Sequence, residues 1–200
     1  MNDLLNKEIT FEMLKDALKG RSDMIDKNGG AHAPDLLLDK HNRVMLDNVR
    51  PRFWVDPKPE ESISKGKEQV MKYDMVVIGG GAAGMVTGAS SAIYGAKTCM
   101  IERNLFGGDC LFTGCVPSKA FLKAANVAYT VRNCAAFGVE VEGNVNINFA
   151  KVMERMRSIR AEISEVDSAS HFAYYYGLDV FMGHAEFIDR NTIKINDQKI

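Results

Sequence analysis

The run Tyr73-Asp74-Met75-Val76-Val77-Ile78 is followed at once by Gly79-Gly80-Gly81-Ala82-Ala83-Gly84, and no other part of the chain constrains its fold as strongly. A short apolar, β-branched run reads as a strand buried on both faces of a parallel sheet. The glycines at 79, 81 and 84 fit G-x-G-x-x-G and open a helix expected to run through about Tyr94. In this pattern Gly79 makes the tight turn, Gly81 lets the backbone approach a pyrophosphate, and Gly84 lets the helix pack closely on the strand. The pyrophosphate then sits at the helix N-terminus. A second apolar run, Lys97 to Ile101, ends in Glu102, 18 positions after Gly84. An acid at about that distance takes a ribose hydroxyl of a bound dinucleotide. Strand, turn, helix, strand and acid together predict the start of an α/β, Rossmann-like dinucleotide-binding domain with a parallel sheet and flanking helices.

Residues 75 to 96 carry no charged side chain and are long enough to span a bilayer. Six of these 22 positions are glycine, however, and a βαβ start explains them better. The net charge of −1 gives no reason to expect nucleic-acid or membrane partners. Met1 to Gly20 is charged throughout, and Asp3, Glu8, Glu12 and Asp16 argue against a secretory or transit segment. The expected compartment is the cytoplasm.

The chemistry is concentrated in Gly107-Gly108-Asp109-Cys110-Leu111-Phe112-Thr113-Gly114-Cys115-Val116-Pro117-Ser118-Lys119. A close cysteine pair beside a cofactor fingerprint reads as a dithiol that cycles with a disulfide. Residues five apart in an ideal helix have Cα atoms roughly 8.7 Å apart. A disulfide needs them within about 7 Å. The pair can therefore close only where the backbone is distorted, and Gly114 and Pro117 are suited to that. A zinc site is the alternative, but it would want a further close Cys or His pair. Cys99 and Cys134 are isolated, so no metal site is expected.

With both motifs in place, the chain resembles the flavoprotein pyridine-nucleotide disulfide oxidoreductases, the group of glutathione reductase, dihydrolipoamide dehydrogenase and mercuric reductase. The resemblance covers residues 71 to about 197 and includes Gly177-Leu178-Asp179-Val180-Phe181-Met182-Gly183-His184-Ala185-Glu186-Phe187. It implies that the dinucleotide is FAD. Cys110 would be the interchange thiol and Cys115 the thiolate beside the flavin, with Lys119 near the isoalloxazine ring. Gly79, Gly81, Ala82, Ala83, Gly84, Glu102, Arg103, Gly108, Asp109 and the His184-Ala185 backbone would line the FAD site. The implied reaction passes a hydride from NAD(P)H through FAD to the Cys110–Cys115 disulfide, and then to a small disulfide or mercuric substrate, in a homodimer.

Val-Pro-Ser-Lys at 116–119, Gly-Gly-Asp-Cys at 107–110 and the lead-in through Trp54-Val55-Asp56-Pro57 are similar to mercuric-reductase-like members. Phe112-Thr113 departs from the Asn-Val usual between the cysteines. No N-terminal Cys-x-x-Cys metal-binding domain is seen. Family members are much longer than 200 residues, so an N-terminal part is expected here, lacking the NAD(P)H and interface domains. The alternative reading is a non-catalytic flavin-binding or thiol redox-sensing fragment.

The expected organisation is an extension and linker over residues 1–70, then a partial FAD-binding domain over 71–200. The extension should hold an amphipathic helix from Leu4 to about Gly20, and 56–68 should be linker. Helices are expected from the redox turn to about Arg132 and from about Phe149 to Phe172, the second with Met153, Met156, Ile159 and Ile163 in the core. Arg155, Arg157 and Arg160, balanced by Glu154, Glu162 and Glu165, read as a solvated face. Tyr174 to Tyr176 read as a helix end packed on the sheet, and closing strands are expected at about 178–182 and 192–196.

Overall fold

The computed structural model of the chain describes residues 39–51, 53–58 and 70–200. The helix expected at Leu4–Gly20 and most of the expected linker lie outside them. The first described element is α1 (Lys40–Val49), capped by the Asp39 carboxylate, which accepts from the N–H groups of His41 and Asn42. The βαβ unit follows as β1 (Met75–Ile78), α2 (Ala82–Ile93) and β2 (Thr98–Glu102). Next come α3 (Gly108–Phe112), α4 (Cys115–Asn133), a 3-10 turn (Cys134–Phe137), α5 (Phe149–Ser164) and α6 (Ala169–Tyr176). The chain closes with β3 (Asp179–Met182), β4 (Ala185–Asp189), β5 (Thr192–Ile195) and β6 (Gln198–Lys199).

β1, β2 and β3 form a parallel sheet in that order, with Met75 opposite Thr98 and Cys99 opposite Asp179. The central strand β2 is buried along its whole length. Its alternation builds two cores. Met100 and Val180 face Val77, Met85, Phe106, Leu111 and Phe172 on the helical side. Cys99, Ile101 and Phe181 face Ile193, Ile195 and Ile200 of the antiparallel β4-β5-β6 sheet. Period-two alternation therefore sends successive β2 side chains into different layers. Burial also pushes the Cys99 thiol up to about 12, which makes it a packing residue rather than a reactive one.

Residues 53–58 run along the open edge of β3. The Trp54 indole N–H donates to the Val180 carbonyl at 3.1 Å, and Asp56 accepts from the Met182 N–H at 2.9 Å. Side chains thus satisfy polar groups that an edge strand otherwise leaves open.

Three expectations need correction. The long helix from Phe149 is broken at Glu165–Asp167, because the Ser168 hydroxyl caps a new helix by accepting from the His171 N–H. Only Tyr176 packs against the core, whereas Tyr174 and Tyr175 are exposed and His171 stacks on Tyr175. Arg160 does not lie on a solvated face but is 8 % exposed, between α1 and α3. The closing region also contains β4, which forms a hairpin with β5.

Candidate redox site

The glycine turn and the cysteine segment meet at the C-terminal ends of the parallel strands. Gly79 has φ +108°, which glycine adopts readily. A Cβ on Gly84 would overlap the Gly79 carbonyl, so the helix can lie this close to the turn only with glycine there. Gly81 precedes α2, and among the described residues no side chain makes a capping hydrogen bond to that helix, so its first N–H groups stay open to a ligand. Ala82 and Ala83 are exposed at the same point.

Glu102 lies at the end of β2 and is 8 % exposed. One carboxylate oxygen accepts from the Gly80 N–H at 2.6 Å and the other from the Asn104 N–H at 2.6 Å. The predicted ribose acid therefore also braces the glycine turn. Gly80 was not singled out in the sequence, because only the three pattern glycines carry assigned roles. Its carbonyl accepts from the Gly107 N–H at 2.9 Å, which ties the turn to the start of the cysteine segment. Gly108 has φ +54°, and a Cβ there would stand 2.8 Å from the Gly81 Cα.

Arg103 and Asp109 are exposed on either side of Leu105-Phe106, which are buried. The His184-Ala185 segment begins β4 beside Glu102, since the Gly183 N–H donates to the Glu102 carbonyl at 2.9 Å. The fold thus gathers Gly79–Gly84, Glu102, Gly108 and His184-Ala185 at one end of the sheet.

The cysteines sit on two helices. Cys110 lies in α3 and Cys115 opens α4, with the break at Thr113-Gly114. Both amide groups of that break donate to the Asp109 carbonyl, Gly114 at 2.6 Å. The expected distortion is present at Gly114, while Pro117 lies buried in the first turn of α4. Both thiols are free, Cys110 half-buried and Cys115 exposed. A hydrogen bond to Cys115, with some burial, holds the Cys110 thiol above its ordinary pKa, while the Lys119 charge pulls it down. Lys119 lies one helical turn beyond Cys115. Among the described residues, no group of three or more metal-type side chains forms around the pair. A separate shallow cleft of about 380 Å³, lined by Asp47, Glu165, His171 and Tyr174 among others, contains none of the predicted site residues.

A parallel βαβ sheet whose glycine turn abuts a cysteine pair is a Rossmann-like arrangement, and residues 73–199 match the pyridine nucleotide-disulphide oxidoreductase family. The chain belongs to that family. Dihydrolipoyl dehydrogenase of Acholeplasma laidlawii is 31 % identical over 129 residues, 64 % of this chain and 38 % of that protein. Dihydrolipoyl dehydrogenase of Bacillus subtilis is 37 % identical over 117 residues, 58 % of this chain and 24 % of the relative. Mercuric reductase of Bacillus cereus is 27 % identical over 146 residues, 73 % of this chain and 23 % of the relative. The chain thus spans between about a quarter and two fifths of the length of these relatives. No helix among the described residues is long and apolar enough to cross a membrane.

Proposed function

We propose that this chain supplies the FAD half-site and the reactive dithiol of an NAD(P)H-dependent oxidoreductase acting on a small disulfide or on mercuric ion. The observation that carries the reading is the contact between turn and dithiol segment: Gly81 and Gly108 abut, and Gly107 bonds to Gly80. The residues present fit the dinucleotide. The uncapped α2 N-terminus, with Gly81, Ala82, Ala83 and Gly84, would hold the pyrophosphate, and no side chain wall would block it. Glu102 would take a ribose hydroxyl on its remaining lone pairs. Gly108, Asp109, Arg103 and the His184-Ala185 backbone would complete the wall, with Lys119 near the ring. Bound FAD would supply two-electron transfer between a nicotinamide and the cysteine pair.

The chain's own residues perform the sulfur chemistry. The Cys110 thiolate attacks one sulfur of a substrate disulfide, and one substrate thiol leaves. Cys115 then attacks the Cys110 sulfur of the mixed disulfide, and the second substrate thiol leaves. The substrate gains two electrons, and the protein is left with the Cys110–Cys115 disulfide. Lys119 favours the thiolate form of Cys110 throughout. The relatives' names include both dihydrolipoyl dehydrogenase and mercuric reductase, and the similar Val-Pro-Ser-Lys ending supports the mercuric branch. A dimer partner and the nicotinamide site would come from segments beyond those described.

The test is the visible absorbance spectrum of the chain supplied with FAD and then reduced anaerobically with a dithiol. A protein-bound flavin band, joined on reduction by a long-wavelength thiolate–flavin band that is lost in Cys115→Ser, is expected. A chain that retains no flavin at any concentration would overturn the half-site. Flavin binding with no effect of either Cys→Ser change on the reduced spectrum would overturn the dithiol assignment.

A further inference from the structure

Arg160 is a cation buried where the sequence pattern places an exposed one. One guanidinium nitrogen, Nη1, donates to the Phe112 carbonyl at 2.9 Å, and Nη2 donates to Asn42 Oδ1 at 2.7 Å. Its Nε is buried without a partner. Among the described residues no carboxylate forms a close pair with it, and Asp39 acts only at longer range. Burying an unpaired charge is unfavourable, so the packing of α1, α3 and α5 holds it there against its own hydration. Phe112 is the last residue of α3, and its carbonyl is one that the helix leaves without an internal partner. The next two residues form the break that separates Cys110 from Cys115. Asn42, at the other end of the bridge, is 1 % exposed on α1.

We infer that Arg160 is a positioning residue for the cysteine pair, gripping the Phe112 carbonyl and anchoring the Cys110–Cys115 break to α1 through Asn42. The inference rests on the dithiol reading above. Its consequence is energetic. Two thiols held in contact form a disulfide more readily than two thiols on a loose loop, because the ordering has already been done. Freeing the break lowers the effective concentration of one thiol at the other and so favours the dithiol.

The test is the equilibrium between the Cys110–Cys115 dithiol and disulfide in the whole chain, poised with a reference dithiol couple. Products are trapped by alkylation and read by mass spectrometry. In Arg160→Met the equilibrium constant for disulfide formation should fall about tenfold, roughly 30 mV for a two-electron couple. Asn42→Ala, a milder change, should move it the same way about threefold, and Arg160→Lys should restore part of the loss. Asn48→Ala is the control. Asn48 donates to Ser164 at 3.0 Å, a bond within the same α1–α5 interface rather than to α3. It should lower stability to urea and leave the redox equilibrium alone. An unchanged constant in Asn42→Ala and in any folded Arg160 variant would overturn the inference, as would an equal shift in Asn48→Ala. Failure of the wild-type chain to form the Cys110–Cys115 disulfide at any poise would instead overturn the dithiol reading itself.

Discussion

Replacing Gly108 with alanine tests the contact on which the functional reading depends. At φ +54° an L-residue occupies the left-handed region, which costs about 1–2 kcal/mol. The new methyl would stand 2.8 Å from the Gly81 Cα. That neighbour is backbone and has no rotamer through which to yield, so an overpacking cost of about 1–3 kcal/mol is added. The total for Gly108→Ala is about 2–5 kcal/mol. Gly177→Ala and Gly138→Ala are the references. Both glycines have positive φ, +71° and +74°, but a Cβ on either would meet nothing within 4 Å. They carry the conformational cost alone, and the entropy that alanine removes from the unfolded chain cancels in the comparison. The assay is urea unfolding followed through the single tryptophan, Trp54, whose indole bonds to β3. Gly108→Ala should be less stable than both references by about 1–3 kcal/mol and should weaken FAD retention. A difference below about 0.5 kcal/mol, smaller than any real overlap of this kind, would mean that the cysteine segment does not rest on the glycine turn.

Two further outcomes follow from ionisation. Removing the Cys115 partner in Cys115→Ala should lower the pH midpoint for alkylation of Cys110, because the hydrogen bond that raises it is gone and Lys119 remains; Lys119→Ala should raise that midpoint by removing the opposing charge. Identical pH–rate profiles in all three proteins would contradict this electrostatic account. Asp167 is half-buried, and that burial raises its carboxyl above the usual range, with His171 opposing. A raised acid stabilises the fold below its unfolded pKa and loses that contribution as pH rises through the folded value. Asp167→Asn should therefore stabilise the chain at neutral pH, by less than about 1 kcal/mol after solvent screening. The gain should vanish in acid below the ordinary carboxylate range, and a Tm difference that does not change with pH would count against it.

The parts of the molecule legible in the sequence are those whose signals are local. The spacing of Gly79, Gly81 and Gly84 encodes its own turn, and the structure shows why the last has no Cβ. β2 is recognisable from five consecutive residues, and the Cys110–Cys115 spacing permits a disulfide only with a distorted backbone, which is found at Thr113-Gly114. The signals that were missed are long-range. The Arg160 partners lie 118 and 48 residues away in sequence, so its neighbours Arg155, Arg157 and Glu162 made it look solvated when the fold buries it. β4 escaped because its apolar residues, Phe187 and Ile188, are exposed rather than aligned on one core face. The break after Ser164 turned on a single hydroxyl, that of Ser168, inside a pattern otherwise continuous in apolar spacing.

The same distinction shows how this site is built. Glu102 lies at the place assigned to a ribose-binding acid, yet in the folded chain its two oxygens already hold the Gly80 and Asn104 amides. An acid placed there only for a ligand would need no such partners. One carboxylate fixes the glycine turn, the turn holds Gly107, and Gly107 opens the helix that carries Cys110. Glycine turn and cysteine segment are therefore one hydrogen-bonded unit, in which a change at Glu102 should be felt at the cysteines.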